Sequence, residues 1–424
     1  QEVLVLLWKL LDENAAFLHH VLSTGAIVNL VGPLLYVMWV GRGDATQVGL
    51  LHLATFLLLL LSGERAFGVE LNKPCATRMP ADMPSAESRA PGGASYTDSL
   101  IIVLHKLVVN GSPRLSALYS CFLTIISNVS PYAKGLSPVA AVKLVNLFEL
   151  FSSPRFLFAR QANFTFAQQL VETFNNIVQY QCDSNVHVVY CILTRADLFE
   201  RLATITVSAW TAYRAVVAAK RAAAAAAGAA AAVVGTAGDS DGSSASSSAA
   251  AAWVERNVEG EGAAALATTG RSAGAAASAA TAAIAREADD SHVDGGGGGG
   301  GGGADGAEGE EWVATEEWLD DVKRQIPLGT LRRLIGYLKP QVEAFVAARG
   351  SAVDDETVLE LLHGTMVVGV LPVPHPILVR RYTPNEWTGV WFTTFIMSPI
   401  YLHMSRDLPL WDAAAIRLFH ITIA

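Results

Sequence analysis

Near its end the chain reads GVLPVPHPILVRRY, from Gly369 to Tyr382. Pro372, Pro374 and Pro376 alternate, His375 stands between two of them, and Arg380 and Arg381 follow. A histidine so placed could ligate a metal or carry a proton. Proline on both sides, however, holds the backbone extended and removes hydrogen-bond donors. A hydrogen-bonding spacer is the preferred reading of His375. A second stretch, LSGERAFG from Leu61 to Gly68, sets Glu64 and Arg65 directly after a strongly apolar run. The pair suits ion pairing to neighbouring helices at a bend; acid–base chemistry is the rival use. Asp320-Asp321 and Asp354-Asp355 are adjacent, so on a helix their carboxyls diverge, whereas acid–base catalysis needs them convergent. They read as caps and solvated faces. GRGDATQVG, opening at Gly41, lacks the third glycine of a dinucleotide loop and the Gly-Lys-Ser/Thr of a phosphate loop, and reads as a helix–helix turn. Neither H-E-x-x-H nor G-x-S-x-G occurs. No catalytic residue, cofactor, metal or small-molecule substrate is therefore expected.

Downstream of the prolines come Trp387, Trp391, Phe392 and Tyr401. These aromatics either close a core or, with Arg380 and Arg381, form a partner surface of the Trp- and Arg-rich kind. On the core-closing reading, PVPHP is a brace that holds the aromatic tail against the rest of the molecule.

The elements that must position these residues are helical. From Gln1 to about residue 215, apolar helical patterns follow one another with short Pro or Gly breaks. Stops are expected at Ser62-Gly63 and Asn110-Gly111, and starts at Ser112-Pro113 and Ser137-Pro138, where proline fits the first turn. In AQQLVETFNNIVQY, Leu170, Val171, Phe174, Ile177 and Val178 fall on one face. Helices recur about every 20 residues, so a pair spans about 40, the scale of armadillo and HEAT units. The fold class is all-α, an armadillo- or HEAT-like helical solenoid. One long Pro-rich loop, Lys73 to Tyr96, interrupts it.

From 216 to 310 the composition collapses into Ala, Gly and Ser, with nine consecutive glycines at Gly295–Gly303. Too little large apolar surface remains to offset chain entropy, so a disordered acidic linker is expected, with Ala222–Ala227 transiently helical at most. Helical patterning resumes over 311–424, with Pro340 as a kink or break, an acidic cap at Asp354-Asp355, and Val358, Leu361, Leu362 and Val368 facing inward. IRLFHITI near the end alternates like a short strand.

The chain is 51% hydrophobic and 16% charged, with positive mean hydropathy and a net charge of −9. Lys220 to Glu311 holds thirteen acidic and five basic residues, nearly all of that charge. No basic stripe is present, so no nucleic-acid partner is expected. Cys75, Cys121, Cys182 and Cys191 form no C-x-x-C pair, and a reducing cytosolic setting fits them. The sequons at Asn128 and Asn163 lie in apolar helical patterns and read as unglycosylated. Val21 to Val40 carries no charge over 20 residues, enough at about 1.5 Å each to cross a bilayer of roughly 30 Å. An integral membrane protein is thus the alternative. Asn29, Pro33 and the missing basic flank favour a buried helix instead. Beginning at Gln1 inside a helical pattern, the sequence reads as the later part of a longer protein.

HGTMVVGVLPVPHPILVRRYTPNEWTGVWFTTFIMSPIYL resembles the C-terminal signature of the Hid (high-temperature-induced dauer formation) family, related to dymeclin. LLLLLSGERAFGVELNKP, TIISNVSPYAKGLS, and SPRFLF followed by ETFNNIVQYQ are similar to the same family. Met397-Ser398-Pro399 and Trp411-Asp412 depart from its pattern. The resemblance implies a non-enzymatic, cytosolic, peripheral Golgi protein. It would act with unidentified trafficking proteins in sorting secretory cargo towards dense-core vesicles at the trans-Golgi.

Overall fold

The computed structural model describes residues 2–75, 94–235, 312–349, 354–365 and 369–382, with isolated positions at 80, 82–84, 389–390, 394, 397–398 and 401. The helices in chain order are α1 (Glu2–Glu13), α2 (Ala15–Ser23), α3 (Val31–Gly41), α4 (Val48–Ser62), α5 (Arg65–Glu70), α6 (Tyr96–Asn110), α7 (Tyr119–Val129), α8 (Pro138–Phe151), α9 (Pro154–Leu157), α10 (Phe164–Gln181), α11 (Val186–Thr194), α12 (Ala196–Thr204), α13 (Val207–Gly235), α14 (Glu316–Gln325), α15 (Gly329–Arg349) and α16 (Asp355–Gly364). Among the described residues there is no strand, only an isolated bridge between Pro74 and Ser95. The all-α expectation holds. The strand expected of IRLFHITI, and the Ala/Gly/Ser segment 236–311, lie outside the described residues.

Two compact units emerge. The first comprises Gln1–Leu144, Glu172–Cys191 and Leu338–Ala424. Its helices pack on close sequence neighbours in solenoid-like fashion: α3 against α4 and α6, α4 against α1 and α7, and α6 against α7. α4 is apolar all round because it is enclosed; Leu51, Leu53, Leu57, Leu58 and Leu61 are fully buried. α6 starts in a capping box: the Ser95 hydroxyl accepts from the Asp98 N–H, while the Asp98 carboxylate accepts from the Ser95 N–H. The other Asp98 oxygen accepts from the Ser137 N–H at 2.8 Å, tying the start of α8 to the start of α6. α10 buries the expected stripe of Leu170, Val171, Phe174, Ile177 and Val178.

The second unit, Val145–Val171 and Ile192–Tyr337, is held by aromatic contacts. Phe148 stacks on Phe199 at 4.6 Å, and Phe151 on Phe166 at 5.1 Å. Phe158 meets both Trp210 of α13 and Trp318 of α14, at 5.7 and 6.0 Å between ring centroids.

Some local expectations are corrected and others hold. Pro340 neither breaks nor ends its helix; α15 runs through it to Arg349. α13 continues to Gly235, well past residue 216, because alanine is the best helix former and carries the helix through Ala222–Ala227. The helix opened by Ser112-Pro113 is a tight 3-10 turn to Leu118 before α7 proper. In α16, Val358 and Leu362 are buried and Leu361 is half-buried, while Val368 lies outside the described residues. Asp354 caps α16, accepting from the Thr357 N–H at 3.1 Å. Asp44 in GRGDATQVG caps the turn between α3 and α4 through the Thr46 N–H.

The uncharged run Val21–Val40 is not one helix. α2 and the segment Ala26–Gly41 meet at a bend of 91°. Val28, Val31, Leu34, Leu35 and Met38 are core residues, and Asn29 accepts from the Tyr96 hydroxyl at 3.4 Å. Among the described residues no single helix is long and apolar enough to cross a membrane.

Candidate functional site: an extended segment seated on polar clamps

Three stretches of the first unit converge under the segment Pro372–Tyr382: the end of α4, the end of α7 and α10. The central contact is made by Asn128, fully buried on α7. Its carboxamide oxygen accepts from the Arg380 N–H at 2.9 Å, and its nitrogen donates to the Arg380 carbonyl at 2.8 Å. One side chain thus satisfies both backbone groups of one residue, as a strand partner would. The same nitrogen donates to the Ser62 hydroxyl at 3.0 Å, which donates to the Leu59 carbonyl. Asn128, read from sequence only as an unused sequon, has its amide fully engaged.

Charge reinforces the clamp. The Arg380 guanidinium meets Glu172 of α10 at 2.5 Å, a charge-assisted bond at a half-buried site. Arg381 reaches Glu64 at 3.6 Å. Tyr382 packs its ring on Phe56 of α4 at 5.4 Å. The chain crosses over the end of α4 closely: a Cβ on Gly63 would lie 3.6 Å from the Arg381 side chain.

The prolines are held differently. The Tyr180 hydroxyl donates to the His375 carbonyl, with the two rings edge-on at 6.5 Å. The His375 side chain is exposed, and its Nδ1 lies 3.1 Å from the Pro376 carbonyl. Pro374 and Pro376 are exposed, Pro372 is half-buried, and Val373 is 90% exposed. The structure therefore places most of the holding contacts at Arg380–Tyr382, downstream of PVPHP, and gives PVPHP itself the Tyr180 hydrogen bond. Glu64 pairs with Arg381 rather than with a neighbouring helix, and Arg65 is exposed. Tyr401 is exposed; Trp387, Trp391 and Phe392 lie outside the described residues.

A second set of amides fixes the adjoining loop, SPYAKGLS. Asn72 donates to the Tyr132 carbonyl and accepts from the Lys134 N–H. Asn185, fully buried, donates to the Ala133 carbonyl and accepts from the Leu136 N–H. Asn176 donates to the Ser130 hydroxyl and Gln181 to the Pro131 carbonyl. Gly135 sits at φ +61, which an L side chain rarely adopts. Gly68 lies so close to the Tyr132 ring that a Cβ there would approach it to 2.6 Å.

Sequence reasoning missed Asn128, Glu172, Tyr180 and Phe56. The available signal was a carboxamide inside the apolar stripe of TIISNV, since a buried amide needs partners. Chemically, both glutamates here face arginines. Elsewhere in this unit, a cavity lined by Cys182, Val186, Leu338 and Leu362 has about 10 Å³, room for a single water. Burial, with Asp183 nearby, pushes the Cys182 thiol up to about 11, which favours its protonated form. Among the described residues no three His, Cys, Asp or Glu side chains cluster as metal ligands. The arrangement is suited to holding and presenting a segment of chain.

The stretches that converge here are those that carried the resemblance, and comparison with known proteins agrees. The family model described as dymeclin, the Dyggve-Melchior-Clausen syndrome protein, matches residues 1–398. The chain belongs to the dymeclin/Hid family. Members similar to it include Protein HID1 of Mus musculus, 36% identical over 99% of this chain and 53% of that protein. Protein HID1 of Dictyostelium discoideum is 28% identical over 99% of this chain and 49% of its own length. The Ubp5-interacting protein ftp105 of Schizosaccharomyces pombe is 27% identical over 49% of this chain. The chain spans about half the length of the HID1 relatives it matches. No solved structure matches. Dymeclin/Hid proteins are not a known enzyme family.

Proposed function

We propose that this chain is part of a non-enzymatic, peripheral scaffold on the cytosolic face of Golgi and trans-Golgi membranes. It acts with trafficking proteins to sort secretory cargo towards dense-core vesicles. The observation that carries the scaffold reading is the Arg380 clamp. Buried amides and paired charges are committed to fixing one extended segment, so the polar chemistry of the site serves shape. Family membership supports it, and the S. pombe relative named for its interaction with Ubp5 points towards protein binding. The Golgi and dense-core assignments rest on the Hid resemblance.

Carbonate extraction followed by flotation tests the peripheral attachment. Release of the native protein into the soluble fraction at high pH is the expected result. Retention of the 424-residue chain by itself with the lipid would overturn it and revive the bent pair around Val21–Val40 as an inserted element. Imaging against Golgi markers tests location, and an even cytosolic distribution would count against it.

A further inference from the structure

We propose that His105 and Lys106 of α6, with Lys143 of α8, form an anion site that takes a phosphate monoester. The inference concerns these two helices alone and does not depend on the Golgi assignment.

The two helices share a starting point. Asp98, in the first turn of α6, accepts from the Ser137 N–H just ahead of α8. From that tie Lys106 lies about 12 Å along α6 and Lys143 about 9 Å along α8, at about 1.5 Å per residue. The two ammoniums come close enough to repel each other, and both act on the His105 ring. Both lysines are half-buried, so each has given up part of its water.

Neither lysine receives a carboxylate in exchange. Other cations of this unit are answered: Lys9 by Glu13, Lys73 by Glu70, Arg380 by Glu172 and Arg381 by Glu64. Among the described residues the side chains of Lys106 and Lys143 have neither an ion pair nor a hydrogen bond. Their own helices cannot supply one. Asp98 and Glu149 are the only acidic residues of α6 and α8. Asp98 is committed to Ser95 and Ser137, and Glu149 pairs with Arg195 at 2.7 Å.

His105 is an independent sign of a missing ligand. It is 4% exposed, and its Nδ1 has no hydrogen-bond partner. Buried polar atoms are nearly always partnered, so such an orphan calls for an explanation. The ring can carry a proton on Nδ1 and donate it to an oxygen placed between the lysines. Two ammoniums call for about two negative charges. A phosphate monoester carries about −1.5 to −2 at neutral pH and has three acceptor oxygens, one for each donor of the site. A carboxylate would leave one lysine unanswered. Lysine binds phosphate as a point charge, which suits a site without a guanidinium fork.

The test titrates the full chain with inorganic phosphate and follows its melting temperature against sodium chloride of equal ionic strength. Phosphate should raise the melting temperature where chloride does not, with half-saturation in the millimolar range or tighter. Lys106→Gln combined with Lys143→Gln should weaken the response by about tenfold or more. Without phosphate that variant should melt no lower than wild type, because it removes a repulsion and no partner; this separates the site from the fold. Lys143→Arg, which keeps the charge, should keep the response. Glycerol phosphate and phosphatidylcholine vesicles with or without a phosphoinositide then separate the sources. Flotation with the phosphoinositide vesicles alone, lost in the double variant, supports a lipid headgroup; a response to glycerol phosphate without flotation supports a soluble monoester. A phosphate response no greater than that of chloride overturns the inference. So does a response that the double variant keeps, since the anion would then bind elsewhere.

Discussion

Arg380 and Val373 lie seven residues apart on one extended segment, and the protein treats them oppositely. Arg380 is gripped through backbone and side chain by Asn128 and Glu172. Val373 stands in solvent. The difference follows from where the amide hydrogens are. Pro372, Pro374 and Pro376 remove every second donor, so a two-point grip there is open only at Val373 and His375, and of these the His375 carbonyl is taken by Tyr180 alone. After Pro376 each residue has both an N–H and a C=O, and Asn128 takes the pair it can reach. Stiffness in the first half comes from covalent rings; in the second half it comes from a buried side chain. The first half is the more exposed of the two.

The largest effect that would sharpen this contrast is on the gripping side. Asn128→Ala removes three hydrogen bonds and leaves the Arg380 backbone and Ser62 without their buried partner. At about 1 kcal/mol per bond, a loss of about 3 kcal/mol is expected, read as a lower denaturation midpoint. Proteolysis within 371–382 should accelerate. Asn128→Asp, nearly isosteric, should be no better, since it loses the donor and buries a charge. A midpoint unchanged in both would remove the distinction between the halves.

Acidification supplies a control of the next size, because it attacks the helical core beneath rather than the grip. His105 on α6 is buried, and its Nδ1 has no hydrogen-bond partner. Burial, with Lys143 and Lys106 nearby, drops it from 6.5 to about 3. The unfolded chain therefore takes up this proton first as pH falls below 6.5. The associated stability is complete above that value and is lost progressively towards pH 3, at about 1.4 kcal/mol per unit. Between pH 6.5 and 5 this amounts to about 2 kcal/mol. Wild type and Asn128→Ala should lose it equally in pH-dependent melts, whereas His105→Leu should flatten this limb.

What the sequence made legible was the helical frame and the segment that matters. The apolar stripe of α10, the stop at Ser62-Gly63 and the cap at Asp354 follow from periodicity and capping chemistry, which are local. The bend within Val21–Val40 is decided by packing, which periodicity does not encode; the passage of α15 through Pro340 has no packing reason, since residues 339–349 are exposed or half-buried. The site was half legible. Pro372–Pro376 and Arg380-Arg381 announced themselves by type and spacing. Asn128 did not, because its meaning lies 252 residues away at Arg380. Glu64 was singled out correctly as a pairing residue, but its partner is Arg381 rather than a helix neighbour.

A smaller effect grades the grip itself. Glu172→Gln keeps the shape of the Arg380 contact and removes its charge. Arg380 is partly exposed, so its guanidinium can recover water, and the cost should be about 1 kcal/mol rather than that of a buried unpaired ion. The deficit should shrink as salt is raised, since screening weakens the wild-type pair. A salt-independent deficit would mean that Glu172 acts through packing.

The smallest effect belongs to the free half. Tyr180→Phe deletes the hydrogen bond to the His375 carbonyl while keeping the ring that packs edge-on against His375. That bond lies at an exposed position, so water replaces the lost hydroxyl and the net cost should be about 0.5 kcal/mol or less. Hydrogen exchange gives the finer reading. Val373 and His375 carry the only amide hydrogens between Pro372 and Pro376, and their exchange should be fast in wild type and variant alike. Slow exchange at Val373 that Tyr180→Phe abolishes would mean that Tyr180 anchors the proline half as firmly as Asn128 anchors Arg380. The two halves would then form one continuous clamp.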